Sequence, residues 1–357
     1  MTALTTAARR RARGPIALGA AAVAATLLLA GCVAGEGETA QADAPEDGAT
    51  ADGWSADTLT VDFATYNPLS LVIKDQGWLE ETLGDDVDVE WVQSAGSNKA
   101  NEALRAGAVD IGSTAGSAAL LARSNGSPIR TIDIYSQPEW AALVVPAGSD
   151  ITDVADLAGH SVAATKGTDP YFFLLQALDE AGVDPADVEV QNLQHADGRA
   201  ALENGSVDAW SGLDPLMAAS EAEAGSTLLY RNVDFNTYGF LNATQDFLDA
   251  SPDLAQVVVD AYEKARAWAQ ENPDEVVQIL AEVAGIDPAV AETVITERTT
   301  LDIDPVPGDA QRDVLEVVGP IFVESGDVAS QDLVDTALDE LFEPTYAENA
   351  DPSTIAD

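Results

Sequence analysis

Two histidines, one cysteine and 62 acidic side chains leave this 357-residue chain few routes to covalent or metal chemistry. His160 and His195 lie in different segments, and no H-E-x-x-H run or Cys/His cluster supplies zinc ligands. Gly112-Ser113-Thr114-Ala115-Gly116 has the spacing of a nucleophile elbow, but Thr114 stands where that motif requires serine, so it reads as a strand-to-helix turn. Asp302 and Asp304 suggest a calcium loop, yet Asp302 to Gly308 lacks the remaining ligands and the correctly placed glycine. No Walker loop or dinucleotide fingerprint stands out, so neither cofactor nor metal is expected, and the chain is not expected to be an enzyme.

What remains is binding chemistry at strand-to-helix corners. In "VAATKGTDPYFFLLQALDEAG", Val162 to Gly182, a short β-compatible run meets Gly167, which permits a tight turn, then Asp169 as an N-cap and Pro170 at the first helical position. The free N–H groups and dipole of such a helix start can hold an anion, although Gly167 could equally serve only the turn. Similar corners recur at Ser94, Gly96, Ser97 and Asn98, and at Gly112, Ser113, Thr114, Gly116 and Ser117. In an open α/β sheet the ligand crevice lies beyond the carboxyl ends of the strands, so corners of two lobes could face one cleft.

The elements that must position these corners alternate. Strands are expected at Thr58–Ala64, Val87–Val92 and Val109–Ser113, each followed by a helix, at Leu69–Thr82, Asn98–Ala106 and Ser117–Ser124. A second set follows: strands Val162–Thr165, Val188–Leu193 and Val207–Trp210, with helices Pro170–Ala181, Gly198–Asn204 and Pro215–Ala224. The pattern implies an α/β fold with two similar sheets. Trp140–Val145 and Tyr238–Asn242 read as two chain crossings at a hinge, and from Pro252 onward the periodicity is helical, padding the first lobe.

The chain opens with a basic region, Arg9 to Arg13, and an apolar run, Ile16 to Ala30, too short for a comfortable membrane span. It reads as a signal peptide over 1–31. Leu29-Ala30-Gly31-Cys32 resembles the lipobox of bacterial lipoproteins, which implies lipid on Cys32, the single cysteine. Residues 32–56, acidic and rich in Gly and Ala, then read as a disordered tether. Removing the leader, with its four arginines, leaves 12 basic against 62 acidic side chains, a net charge of −50. Such a charge excludes nucleic acid as a partner and would suit a salty habitat, where counterions screen self-repulsion.

The segments "DLAGHSVAATKGTDPYFFLLQALDEAGV", "GAVDIGSTAGSAALLARSNGSPI", "LQHADGRAALENGSVDAWSGLDPLMA" and "RNVDFNTYGFLN" resemble solute-binding proteins of bacterial ABC importers in the nitrate/sulfonate/taurine group, most closely the aliphatic-sulfonate-binding type. The resemblance runs from about Leu59 to Leu341. It implies a two-lobed, type II-like periplasmic-binding-protein fold with the first lobe at 57–143 plus 239–345, the second at 144–238 and a tail at 346–357. The implied partners are a small organic anion, an ABC permease with its ATPase, and the membrane through the lipid. The implied location is the outer face of the cytoplasmic membrane, as a monomer.

Carried over by position, the ligand oxygens would meet Ser94, Gly96 and Ser97, the turn at Ser113 and Thr114, and the loop Gly167-Thr168. Trp210 and Asp214 would come from the second lobe, and Asn67 and Trp140 would line the first lobe and hinge. Trp210 could instead be a core aromatic, and Asp214 a cap for the helix after it. Asp169 departs from the pattern: a carboxylate beside an anion site is unfavourable unless it faces away or meets an ammonium, which keeps taurine in play beside alkanesulfonates, nitrate or a pyrimidine precursor. An enzyme or a sensor on the same fold are the rival readings.

Overall fold

The computed structural model describes residues 53–357. The basic and apolar runs at the start, Cys32 and all but the last residues of the expected tether lie outside the described residues. In chain order the elements are β1 (Thr58–Phe63), α1 (Pro68–Gln76), α2 (Trp78–Leu83), β2 (Asp88–Gln93), α3 (Ser97–Ala106), β3 (Ile111–Ala115), α4 (Gly116–Ser124), β4 (Ile129–Pro138) and β5 (Ala141–Val145). Next come β6 (Ser161–Ala164), α5 (Asp169–Glu180), β7 (Glu189–Asn192), α6 (His195–Glu203), β8 (Ala209–Leu213), α7 (Leu216–Ala224), β9 (Thr227–Tyr230) and β10 (Gly239–Thr244). The remainder is α8 (Gln245–Ala250), α9 (Pro252–Glu271), α10 (Pro273–Ala284), α11 (Pro288–Glu292), β11 (Thr299–Thr300), α12 (Asp309–Glu324), α13 (Gln331–Leu341) and α14 (Thr345–Glu348).

Two mixed sheets result, in the orders β11-β4-β10-β3-β1-β2 and β7-β6-β8-β5-β9. β1 runs parallel to β2 and β3, and β6 parallel to β7 and β8, so in each sheet three parallel strands deliver helix starts to one edge. The antiparallel strands β10 and β5 sit beside them, each following a crossing between the sheets. Trp140–Val145 and Tyr238–Asn242, expected as hinge crossings, are therefore mostly strands. The crossings themselves are short, at Glu139-Trp140 and Asn236 to Tyr238. Ala141 to Leu143, assigned from sequence to the first lobe, pair with Leu213 to Ser211 in the second sheet.

The helix expected over Leu69–Thr82 is broken, because Gly77 takes a left-handed conformation (φ 68°) that caps α1 and starts α2. β4 carries no period-2 signal since all but two of its residues are buried, and sequence reading missed it. The last residues of the expected tether are docked: Trp54 and Ala56 pack against the core, and Ser55 bonds the Asp253 carboxylate on α9. The 346–357 segment is docked as well, with Ile355 buried and Lys264 Nζ bonding the carbonyls of Ile355 and Ala356 at 3.2 and 2.6 Å.

Strand alternation divides the core. On β5 and β6, Ala141, Leu143, Val145, Val162 and Ala164 belong to the main apolar cluster, which continues under the first sheet. Their neighbours Ala142, Val144 and Ala163 face the other way, into a separate cluster under α6 with Leu202, Val207 and Met217. This second layer decides the role of Trp210.

Candidate functional site

The helix starts that follow β2, β6 and β7 converge between the two sheets. A small cavity there is lined by Tyr66, Ser97, Ala115, Trp140, Thr168, Asp169, Pro170, His195 and Leu213, with about 10 Å3 of room, enough for one water molecule at most. Two wider hollows, of about 640 and 750 Å3, lie elsewhere. Their rims carry Asp75, Asp274, Glu275 and Glu292, and Asp179, Glu180, Asp184 and Glu324, carboxylates that repel an anion. The small cavity, at the carboxyl ends of the parallel strands, is the candidate site.

Ser97 opens α3, whose start carries no side-chain cap. Its hydroxyl oxygen accepts the Ala115 N–H at 2.9 Å, leaving the hydroxyl proton free for the cavity. Gly96 is required by close approach: a Cβ there would lie 2.9 Å from Cδ2 and Nε2 of His195, across the gap between the sheets. Gly167 serves the turn, with φ 78° and open space around its missing Cβ. Thr168, not Asp169, is the N-cap of α5. The Thr168 hydroxyl donates to the Thr165 carbonyl at 2.6 Å, so it has no proton left for a ligand.

Asp169 is the first residue of α5 and fully enclosed. Its carboxylate accepts from Ser117 Oγ, Trp140 Nε1 at 2.8 Å, and Thr237 N and Oγ1 at 2.8 and 2.7 Å. Burial raises its pKa while the four donors hold it down. It therefore takes up the Ser117 hydroxyl of the α4 corner, and ties the first helix after β6 to α4 and to both crossings. Trp140 lines the cavity, edge-on to Tyr66 at 6.0 Å between centroids.

Several expected contacts lie elsewhere. Asn67 caps α1, accepting from Ser70 N at 3.2 Å and donating to Tyr262 Oη at 2.9 Å. Ser113 gives its N–H and hydroxyl to Asp62, and Thr114 donates to the Ala115 carbonyl and accepts from Asn242; the two are consecutive on β3 and buried on opposite faces of the first sheet. Ser94 is buried after β2 with its N–H on the Phe63 carbonyl at 2.9 Å, and it is not among the residues lining the cavity. Trp210 pairs in register with Val144 and Ala163 on the α6 face, fully buried, and Gly198 makes room for it: a Cβ there would lie 2.7 Å from its Nε1. It is a core residue and not a cleft wall. Asp214 accepts from Ala218 N at 2.9 Å, the capping role, and from Arg298 Nη1 at 3.1 Å. Burial pushes the Asp214 carboxyl up to about 6, and the guanidinium keeps it charged at neutral pH.

Sequence reading missed Tyr66, Ala115, Pro170, His195 and Leu213. His195 carried a signal, as one of only two histidines, placed at the start of a helix after a strand. It also missed Asp62, a buried carboxyl at the end of β1 that burial pushes up to about 7 against the donors of Ser94 and Ser113. Arg298 enters beside the site from a π-helical turn, Thr293–Glu297, and lines an adjoining cavity with Tyr66, Trp140 and Asp214. Among the described residues, no arginine or lysine lines the candidate site itself.

Comparisons with known proteins agree with this architecture. An Escherichia coli K12 protein named for aliphatic-sulfonate binding is 29% identical over 240 residues, 67% of this chain and 75% of that protein. The alkanesulfonate-binding protein SsuA of Xanthomonas axonopodis pv. citri, solved bound to MOPS, superposes with a TM-score of 0.71 at 24% identity, covering 79% of this chain and 98% of that one. The nitrate-binding protein NrtA of Synechocystis PCC 6803 superposes with a TM-score of 0.70 at 14% identity, covering 86% and 92%. The fold is thus that of periplasmic binding proteins, and these related chains are named as binding proteins. With the NMT1/THI5-like family model matching residues 69–276, on two sheets that present helix starts to a shared cleft, the chain belongs to the NMT1/THI5-like family as a solute-binding protein.

Proposed function

We propose that this protein captures a small organosulfonate between its two lobes and hands it to an ABC permease. The observation that carries the reading is the convergence of uncapped helix starts α3, α5 and α6, from both sheets, on a cavity with Ser97 free to donate and no cationic side chain. Backbone N–H groups and dipoles of this kind suit a small oxyanion. The tail of the ligand would meet Tyr66, Trp140, Pro170 and Leu213. A sulfonate is far larger than the present gap, so it enters when the lobes part and is enclosed when they meet.

Export and lipidation at Cys32 belong to the same reading, on the strength of the basic and apolar runs and the Leu29-Ala30-Gly31-Cys32 junction. An aminosulfonate gains no particular support, since Asp169 has four neutral donors and Asp214 has Arg298. The test is a thermal-shift and calorimetry panel at high salt with short alkanesulfonates, taurine, sulfate, nitrate and a pyrimidine precursor. Alkanesulfonates are expected to raise the melting temperature by several degrees at a thousandfold excess over Kd. A shift with nitrate or the pyrimidine and none with any sulfonate would reject the cargo.

A further inference from the structure

His195 is buried at the start of α6, with Nδ1 3.1 Å from Thr165 Oγ1 and Nε2 without a partner at the cavity wall. The Thr165 hydroxyl gives its own proton to the Leu193 carbonyl at 2.7 Å, so toward the imidazole it can only accept. The imidazole must therefore carry a proton on Nδ1, and the nitrogen left facing the cavity is Nε2, a bare lone pair in the neutral ring. A lone pair repels an oxyanion; a protonated Nε2 donates to it. The same gap beside Gly96 is faced by Asn98 Oδ1, also without a partner.

The other ionisable groups around His195 cannot supply the missing positive charge. Within the cavity they are Asp169, an anion, and Tyr66, whose hydroxyl donates to the Ser113 carbonyl at 2.9 Å. On α3, Lys99 pairs with Glu102 at 2.7 Å, and before α5 Lys166 lies over the Tyr171 ring, 5.4 Å from its centroid. On α6, Asp197 sits in the first turn, and Arg199 bonds Glu203 and, on α7, Glu223. Beyond β8, Asp214 is paired with Arg298. A bound sulfonate would thus be the second anion in a closed space, beside Asp169, where among the described lining residues the imidazole is the one group able to turn cationic.

We propose that His195 is a ligand-contacting residue whose Nε2 takes up one proton from solvent when the oxyanion enters, so that anion and proton are bound together. This rests on the sulfonate reading above. Burial holds the free imidazole down at about 4, so it is neutral across the physiological range and the uptake is measurable there. Only the protonated fraction is competent, and that fraction falls tenfold per pH unit above the free value.

The test is titration calorimetry of the full chain with ethanesulfonate at pH 5 to 8, in buffers of contrasting ionisation heat, together with 15N NMR of the two histidines. Expected are an uptake approaching one proton per ligand, a Kd that weakens up to about tenfold per pH unit above pH 5, and conversion of the His195 signal to the doubly protonated form on binding. His160, exposed beside Asp208, should keep its signal and serves as the internal control. His195→Gln, folded by circular dichroism, should bind without proton uptake. Ethanesulfonate binding with no uptake and an unchanged His195 tautomer overturns the inference alone. Failure of every sulfonate to bind across this pH range overturns the cargo reading and the inference with it.

Discussion

Trp210 shows how a single side chain separates two readings of one motif. Its register partners and the space left by Gly198 place it in the layer under α6, so Trp210→Ala should cost about 3–5 kcal/mol of stability, measured by denaturant unfolding. In the fraction that stays folded, sulfonate affinity should change little, and a large affinity loss without destabilisation would return Trp210 to the ligand. Asp62 carries a second residue-scale expectation. Its folded pKa, about 7, lies above the ordinary carboxyl value, so between those values the folded state keeps a proton that the unfolded chain has released. Stability from this source is complete below about pH 4 and is lost as pH rises through about 7. Asp62→Asn cannot ionise, and relative to it the wild type should lose on the order of 2–4 kcal/mol between pH 4.5 and 8. Parallel stability curves would mean that Ser113 and Ser94 keep the carboxylate charged throughout.

At the scale of elements, the closed arrangement is held by contacts that cross from one sheet to the other. β11 pairs with β4 in the first sheet, and Arg298, the residue before β11, reaches Asp214 at the end of β8 and Glu221 on α7 at 2.6 Å. The π turn before Arg298 is an irregularity of the kind that re-aims a side chain. Arg298→Met removes the charge and keeps much of the packing, leaving Asp214 buried without its partner. The variant should populate a more open form, read as a larger radius of gyration by X-ray scattering, with sulfonate bound about tenfold more weakly. Unchanged scattering and affinity would restrict the ion pairs to local stability.

Across the whole molecule the strongest influence is charge, −46 over the full sequence. Repulsion among so many surface carboxylates is long-ranged at low salt and screened within about 10 Å at 0.1 M. The melting temperature should therefore climb steadily from 0.05 to 2 M KCl, and ligand affinity, set by dipoles inside a closed cleft, should climb over the lower part of that range as the anion approaches an increasingly screened surface. A flat melting curve would show that the acidic residues are spaced widely enough not to oppose folding.

The sequence by itself determined the alternation of strands and helices around the corners and the positions of the corners, because these depend on local periodicity and on turn residues such as Gly167 and Pro170. The resemblance carried by those corners also indicated the family. Only the tertiary structure decided which corner donors are free. Ser97 and Thr168 look equivalent in the sequence, yet Ala115 leaves the first a spare proton and Thr165 takes the second's. The Ser117 hydroxyl at the start of α4 is spent on Asp169, a partner 52 residues away. The face on which Trp210 lies depends on sheet register, which one strand does not encode alone. His195 joins the site because α6 and α3, from different sheets, meet where Gly96 has no side chain. Contacts of that kind arise from how the lobes close on each other, a long-range arrangement that neither propensity nor spacing along the chain specifies.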